Sequence, residues 1–317
     1  MNVKTPYWMS GFQKILAELE KRILEIVNCK GKVFFLTSAG IGAMDAVVSN
    51  FIDDKTLVIN SGMYGEKWLE ICKFYGVNTI NFLVNRGENI DFKLLEETIK
   101  KEKPKFILTQ HVETSTGQKH DLDKIGALCK REGIYLFVDA ISSFLAEEYD
   151  ADRFGADITI INPKKGVGTA PGISIVVLRK RIPSRSRSYY FNFDSYGKEF
   201  KIPYTPDTDL LLELHEKLRC DPAEKIEKTR KLAEHFRRLI KDLPLKMIAE
   251  SPANGYTVVQ AWADADMLFD KICCKKNYFS PFNRWTLIIP HLENSFGGPR
   301  SEEDNKKLME ELKKWIS

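Results

Sequence analysis

The sequence predicts a layered α/β protein built on a mostly parallel sheet. Three observations lead there: seven short runs rich in β-branched or aromatic residues, amphipathic helix-like segments between them, and an abrupt end to that alternation at Arg179.

Taken in order, the strand-like runs are Val33 to Thr37, Thr56 to Asn60, Asn78 to Val84, Phe106 to Thr109, Ile134 to Val138, Ile158 to Ile161 and Ile173 to Leu178. Between them Gly42 to Phe51, Gly65 to Tyr75, Phe92 to Lys101 and Leu122 to Arg131 carry helical spacing, and Asp121 stands as an N-cap for the last. From Arg179 a basic stretch, Arg179-Lys180-Arg181 through Arg187, opens a long polar loop with Tyr189, Tyr190 and Phe191, reaching Asp209. A solvated loop or a dimer contact explains this stretch better than a nucleic-acid patch. Beyond it, Asp209 to Leu218, Pro222 to Lys241 and Ser301 to Trp315 are helical in pattern, while Tyr256 to Trp262 and Trp285 to Ile289 are strand-like. The division expected is an N-terminal segment with a large domain over residues 1–220 and a small α+β C-terminal domain over 221–317.

Composition narrows the function classes. With 317 residues, 43% apolar and 29% charged, the chain has the profile of an ordinary globular protein, which excludes disorder, collagen and coiled coil. The net charge of +4 comes from 48 basic residues mixed with 44 acidic ones, so no nucleic-acid partner follows from it. Six cysteines without a C-x-x-C pair make a poor disulfide framework and fit a reducing cytosol. The sequence has no signal-like start and no apolar run of about 18 residues, so a cytoplasmic protein that does not span a membrane is expected. The five histidines lack metal-ligand spacing.

In open α/β sheets ligands bind beyond the carboxyl ends of the strands. After the first strand, Thr37-Ser38-Ala39-Gly40-Ile41-Gly42-Ala43 leads small residues into a helix, where backbone N–H groups can hold a phosphate or simply make a tight turn. The dinucleotide fingerprint fails because Asp45 stands where its third glycine belongs. Asn60-Ser61-Gly62-Met63-Tyr64-Gly65 places a ring at the mouth of the sheet, for stacking or for packing. His111-Val112-Glu113-Thr114-Ser115-Thr116-Gly117 is dense in hydroxyls, and Val138 delivers Asp139, a carboxylate that needs a cation or donors there. After the sixth strand, Lys164-Lys165 sits in a glycine-rich loop, as surface charge or as an imine-forming nucleophile. Together these are the parts of a pyridoxal phosphate (PLP) site.

From about Val33 to Leu178 the chain resembles class V, fold type I, PLP-dependent aminotransferases, closest to the alanine–glyoxylate and 2-aminoethylphosphonate–pyruvate branch. The strings that carry the resemblance are Leu36 to Asp45, Gly62-Met63-Tyr64-Gly65-Glu66-Lys67-Trp68, Glu113-Thr114-Ser115-Thr116-Gly117, Val138-Asp139-Ala140-Ile141-Ser142-Ser143, and Lys165 with Ala170-Pro171-Gly172. The resemblance implies a seven-stranded sheet in a large α/β/α domain, with Lys165 as the Schiff-base lysine and Asp139 on the pyridine nitrogen. It further implies Tyr64 stacking on the ring, Thr114 at the ring hydroxyl, and Ala39, Gly40 and Ile41 holding phosphate through the backbone. Lys165 rather than Lys164 is singled out because family members place Pro-Gly six and seven residues after the lysine, as Pro171-Gly172 stand here. Ile202 to Thr208, with Thr205, resembles the segment that reaches the neighbour's phosphate in a homodimer with shared sites.

Three substitutions depart from the family. Ile41 replaces a threonine at the phosphate, and Lys164 replaces a glutamine, which places a second ammonium beside Lys165. Ile288 stands where an arginine clamps the substrate carboxylate, leaving Arg284 or Arg300 to substitute. The function expected is transfer of an amino group from a small amine or amino acid, of alanine, serine or 2-aminoethylphosphonate type, to a 2-oxo acid such as pyruvate or glyoxylate. The alternatives are a PLP-dependent lyase or decarboxylase, or a catalytically degraded homologue with a binding role.

Overall fold

A computed structural model describes residues 8–198, 201–261, 275–276, 285–292 and 301–316. The chain runs α1 (Ser10–Ile26), β1 (Lys32–Thr37), α2 (Gly40–Phe51), β2 (Thr56–Asn60), α3 (Met63–Phe74), β3 (Thr79–Leu83), α4 (Phe92–Glu102) and β4 (Phe106–Gln110). A short hairpin follows, β5 (Val112–Glu113) and β6 (Gln118–Lys119), then α5 (Leu122–Glu132), β7 (Tyr135–Asp139), α6 (Ala151–Phe154), β8 (Ala156–Ile161), α7 (Pro163–Gly166) and β9 (Ile173–Leu178). After the long loop come α8 (Thr208–Lys217), α9 (Pro222–Leu239), β10 (Lys246–Met247), β11 (Tyr256–Ala261), β12 (Lys275–Lys276), β13 (Trp285–Pro290) and a closing helix, Glu302–Ile316.

The seven runs form one sheet in the order β1-β9-β8-β7-β4-β2-β3. β9 is antiparallel to both neighbours and the other pairs are parallel. The six parallel strands therefore release their following loops at one edge. Fully buried Leu57, Ile107, Leu108, Phe137 and Ile158 form continuous apolar strands, as expected where helices cover both faces. A second, antiparallel sheet takes the order β10-β11-β13-β12.

Boundaries agree with the periodicity to within two residues for these seven strands. α2 and α3 begin two residues earlier than the pattern does, because Gly40 and Met63 are first-turn residues whose side chains need not face the core. Two features escape the strand–helix rhythm. One is α1, whose Phe12, Leu16, Leu19 and Ile23 recur at helical spacing and are all fully buried. The other is the β5–β6 hairpin, whose strands of two residues each are too short for any pattern. None of the described helices is long and apolar enough to cross a membrane.

The basic stretch after β9 is less solvated than its composition suggests. Arg179 donates to the buried carboxylate of Asp157 at 2.7 Å, with Lys180 at 2.9 Å from the same oxygen. Arg187 donates to the carbonyls of Tyr75 (2.6 Å), Val48 (3.1 Å) and Ile52 (2.9 Å), capping the C-terminal ends of α2 and α3 with one guanidinium. Arg187→Ala leaves three carbonyls without this donor, and we expect it to lower unfolding stability by about 2 kcal/mol in urea titration.

Candidate active site

The parallel strands bring together residues that lie far apart in the chain. β7 ends in Asp139, β8 feeds Asn162 and α7, β4 feeds the β5–β6 hairpin, and β2 feeds α3. Asn162 caps α7 by accepting from the Lys164 amide at 3.0 Å, which places Lys164 and Lys165 on one helical turn. Consecutive helical positions diverge by about 100°, so the two lysines project in different directions. Lys165 Nζ donates to Ser142 Oγ at 2.7 Å and to Thr114 Oγ1 at 3.2 Å, and these two hydroxyls are in close contact with each other. The amine lies 5.2 Å from the centre of the Tyr64 ring and 5.7 Å from that of Tyr256, so two aromatic faces flank the cation.

Asp139 is buried at the end of its strand, and its Oδ1 accepts from the Ile141 amide at 2.8 Å. Burial pushes its carboxyl up to about 6, against the pull of that amide and of the Lys165 charge, and the nearby Glu113 adds to the rise. Burial also raises the Tyr64 phenol to about 12, with Asp139 and Glu113 adding to the effect. Burial raises the Tyr256 phenol as well, so both rings beside the lysine are neutral at pH 7.

A phosphate fits where the motif places it. Ala39 is the N-cap of α2, with extended backbone and no side-chain cap, so the first amides of a 12-residue helix are left for an outside acceptor. The start of the helix packs closely on the loop after Asp139: a Cβ at Gly40 would lie 2.6 Å from Ile141 Cδ1, so that side chain would have to shift. Ile41 follows, 40% exposed, contributing surface rather than a hydroxyl. The uncapped helix, the buried acid and the flanked amine together are a donor set that suits a phosphorylated pyridine aldehyde.

Of the residues singled out in the sequence, Tyr64, Thr114, Asp139 and Lys165 are brought into one cluster, with Ala39, Gly40 and Ile41 on the same sheet edge. Thr205 is exposed in the segment entering α8, and no hydrogen bond among the described residues ties it to the cluster. Arg284 and Arg300 lie outside the described residues, and Ile288 lies in β13 between its partners Val258 of β11 and Lys275 of β12.

Three contributors were not picked out. Ser142 and Glu113 sit inside the recognised strings, next to the residues chosen. Tyr256 gave no local signal, because it comes from the small sheet. Its strand is held to the large sheet's hairpin by hydrogen bonds from Lys119 N to Ser251 O and from Ala253 N to Gly117 O, both 2.8 Å. Arg237 of α9 adds bonds to Tyr256 O (3.1 Å) and Thr257 Oγ1 (3.0 Å).

A β/α edge carrying a flanked lysine, a buried acid and an open helix N-terminus defines a class of group-transfer enzyme, and comparison with known proteins supplies the family. The chain belongs to the class-V aminotransferases: that family's model matches residues 4–191. It is 27% identical over 256 residues to the soluble hydrogenase small subunit of Synechococcus sp., covering 75% of this chain and 67% of that one. It is 30% identical over 217 residues to the 2-aminoethylphosphonate–pyruvate transaminase of Cupriavidus necator, covering 64% of this chain and 58% of the relative. In fold it superposes on the alanine–glyoxylate aminotransferase of Nostoc sp. with a TM-score of 0.86 at 19% identity, over 98% of this chain and 88% of that one. The architecture is thus fold type I, as the motifs implied.

The raised carboxyl of Asp139 has a consequence for stability. The folded chain binds this proton more tightly than the unfolded chain does, so the group's contribution falls as pH rises from about 4 to about 6 and then stays low, a loss of roughly 3 kcal/mol. Asp139→Asn, which keeps an acceptor for the Ile141 amide, is expected to unfold at higher urea than the parent at pH 8 without added cofactor. The difference should close toward pH 4.

Proposed function

We propose that the chain is a PLP-dependent aminotransferase, and the observation that carries this is the Lys165 amine fixed between two rings and two hydroxyls, near buried Asp139, whose raised carboxyl its charge partly offsets. Bound PLP supplies an electrophilic aldehyde carbon and a ring that accepts electron density. Asp139 would hold the proton on the ring nitrogen, since a buried carboxylate is stabilised most by a cation beside it. The amides at Ala39, Gly40 and Ile41 would hold the phosphate, Tyr64 would lie against the ring, and Thr114 would meet the ring hydroxyl. Lys165 Nζ would anchor the cofactor and, once displaced by a substrate amine, take a proton from the substrate carbon and return one to the cofactor's C4′. Ser142 and Thr114 orient that nitrogen through both transfers.

The donors we propose are small amines or amino acids of alanine, serine or 2-aminoethylphosphonate type, and the acceptors are 2-oxo acids such as pyruvate or glyoxylate. The names of the relatives support this range. We further propose a cytoplasmic homodimer in which Thr205 of one copy reaches the other's phosphate site; its exposure in a single chain is compatible with that role. Ile288 in the place of a carboxylate-clamping arginine favours donors without an α-carboxylate, and leaves lyase or decarboxylase chemistry as the second reading.

Visible absorption spectra with added PLP test the assignment. The parent should develop a band that Lys165→Ala lacks, and the variant should transaminate at least on the order of 10²–10⁴-fold more slowly. Bleaching by 2-aminoethylphosphonate, with alanine formed from pyruvate, would identify the donor. Amine consumption without alanine formation would favour the lyase reading, and no band in the parent would favour a degraded homologue.

A further inference from the structure

Glu113 is fully buried one residue before Thr114, and it binds neither Lys165 nor Asp139 through any described hydrogen bond. Its Oε2 accepts from the amides of Tyr64 (3.0 Å) and Gly65 (3.3 Å), in the first turn of α3. Its Oε1 accepts from the Ser115 amide (3.0 Å) and hydroxyl (2.6 Å), and Ser115 Oγ in turn receives the Met63 amide at 3.0 Å. Three successive amides of α3 are thereby satisfied by two residues of the hairpin rather than by a local N-cap, which α3 lacks. Gly62 makes the approach possible: a Cβ there would come within 3.0 Å of Ser115 Oγ and of Glu113 Cγ and Cδ.

We propose that Glu113 is a positioning residue, a buried carboxylate that caps α3 and so sets where the Tyr64 ring lies against the cofactor. This rests on the PLP reading above. Tyr64 has no side-chain hydrogen bond to fix it among the described contacts, so its ring is placed by its backbone and the packing around it, and the amides of Tyr64 and Gly65 that hold that backbone end on Glu113. The helix N-terminus favours a negative charge at this place. Burial alone pushes the Glu113 carboxyl up, while Ser115 and the amides of Tyr64 and Gly65 pull it back. All four contacts are donors, so a protonated acid would set its own hydrogen against one of them. The same hairpin turns through Thr114 to the Lys165 amine, which puts the ring's support and a partner of the amine on adjacent residues.

Glu113→Gln separates this from simple packing, because it keeps the volume and places an NH₂ group against donors. We expect hydrogen exchange at the Tyr64 and Gly65 amides of the cofactor-free protein to accelerate. PLP should bind roughly ten- to hundredfold more weakly, followed by absorbance or fluorescence. Ser115→Ala, which keeps the carboxylate and removes one of its donors, should shift both readings in the same direction by less. Unchanged exchange, or faster exchange with PLP affinity equal to the parent's, would overturn the positioning role. Failure of the parent itself to bind PLP would remove the function proposed above, and the positioning role with it; that result is read in the parent alone.

Discussion

An ionisable carboxyl buried at the end of an apolar strand is costly unless cations or donors meet it, and much of the site is arranged around that constraint at Asp139. Leu136, Phe137 and Val138 carry the strand through the middle of the sheet with no exposure, and Asp139 follows at its carboxyl edge, itself buried. One backbone amide and one lysine offset part of the cost, and the carboxyl remains raised. A site that holds an acid in this state gains from any cationic ring nitrogen placed beside it.

The β5–β6 hairpin ties together the elements that surround this acid. Residues 113 to 119 touch α3 through Glu113 and Ser115, the lysine through Thr114, and the strand entering the small sheet through Gly117 and Lys119. The last of these links fixes the segment that leads into the strand of Tyr256, whose side chain itself hydrogen-bonds Ser142. Large and small sheets thus meet at the amine, and a shift of the small sheet would move one of the two rings that flank it.

The frame of the fold was legible because parallel strands buried on both faces read as unbroken apolar runs, and each of the seven appears where its run lies. Lys165 was distinguishable from Lys164 only by the glycine-rich tail that follows, and the structure sends the Lys165 side chain to Thr114 and Ser142. What escaped was of another kind. Tyr256 reaches the site through tertiary packing of a distant strand, and Glu113 acts through backbone amides that no side-chain pattern records. Arg187 looked like surface charge, yet three helix-end carbonyls bind it, because the helices that need it lie more than a hundred residues upstream. Residue type predicted chemistry well where the chemistry is local, and poorly where long-range contacts assign a residue's partner.

The central claim is that one nitrogen, Lys165 Nζ, is the attachment point for the cofactor. Mixing the protein with PLP, reducing with borohydride and mapping the labelled peptide by mass spectrometry tests it directly. The account predicts a single stable adduct on Lys165. An adduct on Lys164 or on another lysine, or none at all, would contradict it.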